Sequence, residues 1–413
     1  MIRGFYTILA AQFFSALADN ALLFAAIALL KTFQAPDWQT PVLQQFFVFA
    51  YIVLAPFVGP FADALPKGQV MFISNAVKIV GCAAMLLGLH PLLAYGFVGI
   101  GAAMYSPAKY GILTEYLPPQ KLVWANGWME GLTVAAIILG AIVGGALIGS
   151  KVEAGIVEHL VGLEFNPGID TAPEVAIVII LGIYVLAAIF NLFIPKVPID
   201  HKLPRRNPWF LLRDFSHCFW LLWKDPLGQV SLAVTTLFWG AGATLRLIVL
   251  TWAGIALGFD LEHSTQLTAV VGIGIAIGSA VAAKAVPLHR AVRVLPVGIA
   301  MGVTVIAMVF VTDWRVAIPL LILVGGMAGY FVVPMNALLQ HRGHLLMGAG
   351  HSIAVQNFNE NLSILAMLGA YALMIRAELG VNATVIVFGV FVALTMAWLT
   401  KRHRHDQDAE HKL

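Results

Sequence analysis

The chain has 413 residues, of which 60% are hydrophobic and only 11% charged, and its mean hydropathy is +0.88. That balance excludes an ordinary soluble domain and fits an all-α, polytopic membrane protein. The net charge of +3 implies no nucleic-acid partner and gains meaning only when sorted by loop.

A helix needs about 20 apolar residues to cross the hydrocarbon of a bilayer. On that criterion twelve spans are expected, near 5–31, 43–64, 69–89, 91–113, 121–149, 173–195, 227–257, 265–286, 292–312, 315–339, 347–376 and 381–400. Unpaired edge amides bar open sheets from lipid, and runs this long mean helices rather than barrel strands. Met1–Arg3, the apolar run and Ala16-Leu17-Ala18 imitate a cleavable signal peptide, but the run continues to Leu30. With the N-terminus inside, about 17 of the 24 Lys and Arg fall on the cytoplasmic side, about 4 outside and about 3 within spans. Both termini are therefore expected in the cytoplasm. The external segment 150–174 agrees, carrying Glu153, Glu158, Glu164, Asp170 and Glu174 against Lys151. Cys82, in a span, and Cys218, in a cytoplasmic segment, offer no disulfide framework.

The longest cytoplasmic segment divides the chain into a six-helix half over 1–195, a linker over 196–226, a second six-helix half over 227–400 and a polar tail over 401–413. Residues 207–224 alternate apolar and basic positions at helical spacing, with Trp209, Phe210, Phe215, Phe219, Trp220 and Trp223. This predicts a helix in the headgroup layer, a simple tether between halves, or both. The halves read as diverged repeats, a common build for secondary transporters. GPFADALPKGQV after the second span matches GSAVAAKAVPLHRAVRV after the eighth. Pro107 with Lys109 matches Pro334 with Asn336, and Asn126 with Glu130 matches Asn357 with Glu360.

Six ionisable residues lie deep inside spans: Asp19, Lys78, Lys109, Glu130, Arg246 and Glu360. A charge at the centre of a bilayer costs about 2.5 kcal/mol or more, so such residues normally face an interior path or a partner. From a rise of about 1.5 Å per residue, Asp19 falls slightly past the midplane and Glu130, Lys78 and Glu360 near it. Arg246 falls toward the outside and Lys109 toward the cytoplasm. Lys78 reads as the interior partner of a carboxylate such as Glu130 rather than as a ligand contact. Asn126 and Glu130 share a helix face at i,i+4, where interhelical hydrogen bonding competes with a gating role. The cluster Gln356, Asn357, Asn359, Glu360 and Asn361 is dense enough to suggest substrate binding or gating. Gly140, Gly144, Gly145, Gly272, Gly274, Gly278, Gly348 and Gly350 suit close helix packing, or a seam that slides. In the tail, the His403 to Asp408 spacing reads as coincidence, and no metal site is expected from His403, His405 and His411.

Gly59, Asp63 and Lys67 resemble the loop motif of the major facilitator superfamily, which marks Asp63 and Lys67 as gating or structural charges. More specifically, AQFFSALADNALLFAAIALLK, FVFAYIVLAPFVGPFADALPKG, GAAMYSPAKYGILTEYLP, ANGWMEGLTVAAIILG, LFWGAGATLRL, YFVVPMNALLQHRG and AVQNFNENLSILAMLG together resemble the bacterial lysophospholipid transporter family of that superfamily. The resemblance covers nearly the whole chain apart from 150–174 and the termini.

It implies a twelve-helix facilitator fold, two six-helix halves around a central cavity lined by spans 1, 4, 7 and 10. Asp19, Asn20, Lys109, Arg246 and Asn336 would then meet substrate together with Gln356 and Glu360. Lys78, Asn126, Glu130 and Asn357 would serve as gating or structural groups. Asp19 and Arg246, at similar depths, are expected to form a salt bridge. The implied activity is a flippase, not an enzyme, that moves lysophosphatidylethanolamine and related lysolipids from the outer to the inner leaflet of the bacterial inner membrane. It needs no cofactor. Because the chain stops after its last span, the acyltransferase and acyl carrier protein synthetase that would re-acylate the product are expected as separate partners. Arg246 and Lys109 would hold the phosphate in outward- and inward-facing states, with Asp19 and Glu360 switching partners. The rival is a proton-coupled exporter of drugs or other amphiphiles that titrates Asp19, Glu130 or Glu360. A membrane acyltransferase lacks a credible His-Asp pair at a membrane face, and a scaffold leaves the deep charges without purpose.

Overall fold

The computed structural model describes residues 2–36, 39–149, 171–198 and 207–410, with all regular structure there helical. The acidic segment 150–170, linker residues 199–206 and the side chains of His405, Asp408 and His411 lie outside the described part.

The helices are α1 (Ile2–Thr32), α2 (Gln39–Ala64), α3 (Lys67–Leu86), α4 (Pro91–Tyr116), α5 (Leu122–Leu147), α6 (Ala172–Leu192), α7 (Pro208–Lys224), α8 (Pro226–Ala256), α9 (Leu261–Ala285), α10 (Leu295–Ile306), α11 (Trp314–Met347), α12 (Ala349–Arg376) and α13 (Val381–Glu410). Short 3-10 turns extend α10 at both ends, so that Leu288–Phe310 forms one span-length segment. Among the described residues, eleven segments are long and apolar enough to cross a membrane. The other expected span, α4, has 26 residues and hence a length of about 39 Å. It carries Tyr105, Ser106 and Lys109 within its length.

Two compact units emerge: Met1–Tyr116 with Ala135–Arg213 and Ala349–Ala354, and Leu117–Val134 with Asp214–Gly348 and Val355–Leu413. Helices α5, α7 and α12 therefore change unit along their length. In the first unit α3 and α2 pack along α4, and α1 and α3 along α6. An alanine-rich stripe on α1, Ala18, Ala21, Leu22, Ala25 and Ala26, joins Cys82, Tyr95, Ile177, Ile180 and Tyr184 in a buried core. Small side chains let membrane helices approach until backbone meets side chain. Gly101 shows the limit: a Cβ there would lie 2.7 Å from the Ser74 carbonyl and 2.6 Å from Lys78 Cγ.

In the second unit the α9–α11 pair packs most extensively, with Gly274 and Gly278 on α9 facing Gly325, Gly326 and Gly329 on α11. Gly274 and Gly278 thus serve close packing. Helix α7 lays Cys218 and Leu222 against Leu232, Leu339, Met347 and Val355. Phe215 and Phe219 meet the Phe358 ring at 5.5 and 6.1 Å, while Trp209 and Trp220 remain exposed.

Candidate functional site

Three buried polar clusters interrupt these apolar helices. In the first, Ser15 and Asp19 stand one turn apart on α1, and Asn75 and Lys78 about one turn apart on α3, so each helix presents a polar patch on one face. Lys78, 1% exposed, donates from Nζ to Asp19 Oδ2 at 2.8 Å and to Ser15 Oγ at 3.0 Å. The Tyr184 hydroxyl donates to Asp19 Oδ1 at 2.6 Å, and Ser15 Oγ to Asn75 Oδ1 at 2.8 Å. The ammonium also lies 4.9 and 5.5 Å from the ring centroids of Tyr105 and Tyr184. A charge this deep persists only when pairing and hydrogen bonds replace its water.

Two sequence expectations are corrected here. Asp19 is bound by Lys78 and Tyr184 rather than by Arg246, which is exposed and forms no ion pair among the described residues. Lys78 is indeed the interior partner of a carboxylate, but that carboxylate is Asp19 and not Glu130. The reason is register: α1 and α3 bring Asp19 within reach, while Glu130 belongs to the part of α5 in the other unit.

The second cluster surrounds Asp63, at the end of α2. Lys67 Nζ donates to Asp63 Oδ1 and to the Ala62 carbonyl at 2.7 Å each, and lies 3.0 Å from Glu115 Oε1. Asp63 also accepts from the first turn of α12, from Gly350 N at 2.8 Å and His351 N at 3.1 Å. His351 Nδ1 lies 2.6 Å from its Oδ2. The carboxylate satisfies amides that a helix start leaves open and sits at the positive end of its dipole. Gly348, at φ +95°, makes the break between α11 and α12 that aims those amides. The sequence pointed to Asp63 and Lys67 but not to Glu115 or His351.

The third cluster belongs to the second unit. Three helices each present a polar pair at i,i+4: Asn126 and Glu130 on α5, Asn336 and Gln340 on α11, Gln356 and Glu360 on α12. The amides of Asn126 and Gln340 bond each other reciprocally at 2.8 Å in both directions. Asn336 Nδ2 donates to Glu130 Oε1 at 3.3 Å, and Gln356 Nε2 donates to Asn336 Oδ1 at 3.0 Å and Glu360 Oε1 at 2.7 Å. The result is a chain of side chains running Glu130, Asn336, Gln356, Glu360. All four are buried. Gln340 was missed, although its position one turn after Asn336 was a usable signal.

The remaining candidates are more dispersed. Asn20 donates back to the Ala16 carbonyl of its own helix at 2.8 Å. Lys109 is half-buried, with Nζ 4.5 Å from the Tyr110 ring centroid. Asn357 is buried, and its carbonyl accepts from Asn361. Asn359 accepts from Trp223 Nε1 at 3.3 Å, which ties α7 to the helix that carries Gln356 and Glu360. Outside the spans, Asp225 caps α8 through Gly228 N at 2.8 Å and receives the Arg342 guanidinium, Nε at 3.0 Å. Burial alone would raise its pKa; the Arg342 and Gly228 hydrogen bonds outweigh it and hold the carboxyl below its usual 3.8. Among the described residues no group of His, Cys, Asp and Glu is gathered to hold a metal ion.

Span-length helices that hide ionised and amide groups in compensated clusters define a multi-pass membrane protein of the transporter class. The family model for the Major Facilitator Superfamily matches residues 8–364. The lysophospholipid transporter LplT of Salmonella arizonae is 44% identical over 97% of this chain and 96% of its own length. That of Yersinia enterocolitica is 44% identical over 92% and 89%. The crystal structure of the human organic anion transporter MFSD10 superposes with a TM-score of 0.74, covering 96% of this chain and 99% of its own at 14% identity, which speaks for fold alone. The chain belongs to the major facilitator superfamily and, within it, to the lysophospholipid transporter LplT family.

Proposed function

We propose that this protein moves lysophospholipids, lysophosphatidylethanolamine and lysophosphatidylglycerol among them, from the outer to the inner leaflet of the bacterial inner membrane. The observation that carries the reading is the chain from Glu130 to Glu360, four buried polar side chains on three helices of membrane-spanning length. The relatives' name supplies the substrate class. A lysolipid couples a charged head to one acyl chain. Each buried methylene is worth about 0.8 kcal/mol, so the tail stays in an apolar environment while only the head is handed between polar groups.

In this reading Arg246, exposed and without an ion pair among the described residues, receives the phosphate in the outward-facing state. Lys109 receives it in the inward-facing state, and Glu360 exchanges partners between the two. Asp19, held by Lys78, belongs to the supporting structure. Both termini lie in the cytoplasm, and a separate acyltransferase with an acyl carrier protein synthetase restores the missing acyl chain at that face. The test is reconstitution of the purified protein with labelled lysophosphatidylethanolamine and an assay of leaflet movement, with and without an imposed pH gradient. Movement without a gradient is expected. Flux that follows the gradient would favour a proton-coupled exporter, and an Arg246→Ala variant with undiminished uptake would refute the phosphate role.

A further inference from the structure

We propose that Gln356 and Glu360 form the subsite for the primary ammonium group of a zwitterionic lysolipid head, and so set head-group preference. The inference rests on the lysolipid transport reading above. It begins from which way the amides point. An ionised Glu360 can only accept, so the nitrogen of the Gln356 amide faces it, and both N–H groups of that nitrogen are used, one on Glu360 and one on Asn336. Asn336 is oriented in the same way by Glu130. With the donors of Gln356 exhausted, this end of the chain has acceptors left over.

Gln356 Oε1 is buried and has no hydrogen-bond partner among the described residues. It belongs to the same amide group as the nitrogen that holds Glu360, so the orphan oxygen and the carboxylate are parts of one buried cluster. Gln356 is 5% exposed and Glu360 7%. A buried acceptor without a donor is disfavoured, and one beside a carboxylate calls for a donor that also brings positive charge. A phosphate brings only further acceptors and negative charge. A glycerol hydroxyl can donate but leaves the carboxylate uncompensated. A primary ammonium supplies three N–H donors and one positive charge, and charge-assisted hydrogen bonds of this kind are the stronger ones.

The test uses the full-length protein in proteoliposomes with labelled lysophosphatidylethanolamine, its N-acetylated derivative and lysophosphatidylglycerol, in sodium and in N-methylglucamine buffers. Wild-type protein is expected to favour the free amine over the N-acetyl lipid by about tenfold or more in transport rate over apparent KM. Glu360→Gln is expected to lower the ratio of ethanolamine to glycerol lysolipid by a similar factor. Equal handling of amine and N-acetyl lipid by the wild type, or an unchanged ratio in the variant, would overturn the inference while leaving transport intact. A sodium requirement that Glu360→Gln removes would assign the acceptors to a metal cation and also overturn it. Wild-type protein that moves no lysolipid would overturn the transport reading, and this inference with it.

Discussion

Replacing Lys78 by Met should destabilise the protein by about 3 kcal/mol, the lower end of the range of about 3–5 kcal/mol for removing one partner of a buried ion pair. The lower end applies because the Asp19 side chain is 21% exposed and keeps the Tyr184 hydroxyl, while Met fills most of the space of the lysine stem above Gly101. Asp19→Asn should cost more than Lys78→Met, since it strands a cation that is 1% exposed. Two tyrosine rings soften that loss but cannot replace the carboxylate. The double variant Asp19→Asn with Lys78→Met removes both charges and should recover about 2 kcal/mol relative to the sum of the single changes. Thermal unfolding of the four proteins in one detergent, read as a double-mutant cycle, measures this coupling. Strictly additive losses, with the double variant as unstable as the two single changes summed, would refute the claim that the two charges are held chiefly by each other.

Two further outcomes follow from local geometry. Because Asp225 is held below its usual 3.8, its contact with Arg342 contributes stability in full above that value and loses it as pH falls through the lower folded value. The stability gap between wild type and Arg342→Gln should therefore be widest near neutral pH and close in acid, and a gap unchanged down to pH 3 would contradict the assignment. Gly101→Ala should destabilise by about 1–3 kcal/mol, since its Cβ meets the Ser74 backbone. Gly131→Ala, with open space around the new methyl group, should be neutral or gain up to about 1 kcal/mol by helix propensity. A fluorescence-detected melt separates the two, and equal shifts would refute the packing argument.

Much of the fold was legible because hydrophobic run length reports directly on the bilayer. The expected spans coincide with helices throughout, including α4. Periodicity also marked the polar face of α5 through Asn126 and Glu130, and the amphipathic stretch that forms α7. Partner choice could not be read this way. A helical repeat fixes which face a residue occupies, but not which helix lies opposite or at what height. Lys78 could thus be matched with Glu130 when its true neighbour, Asp19, lies 59 positions away. Asp63 and His351, 288 positions apart, meet only because the break at Gly348 starts α12 against the end of α2.

The three i,i+4 pairs also show how one device can serve two ends. At Asn126 and Gln340 each amide offers the other both a donor and an acceptor, so the pair closes on itself and locks α5 to α11. One turn along the same two helices the partners are Glu130 and Asn336, and a carboxylate cannot reciprocate: it accepts, and the excess of acceptors passes on through Asn336 to Gln356 and Glu360. Helix spacing is the same at both levels, so the difference lies in the side chains alone. Substituting both Asn126 and Gln340 by leucine removes two satisfied groups together and leaves none stranded, which such exchanges tolerate well. Removing Glu360 alone strands the Gln356 donor that holds it. The closed pair is therefore built for structure, and the end with acceptors to spare is the end suited to a ligand.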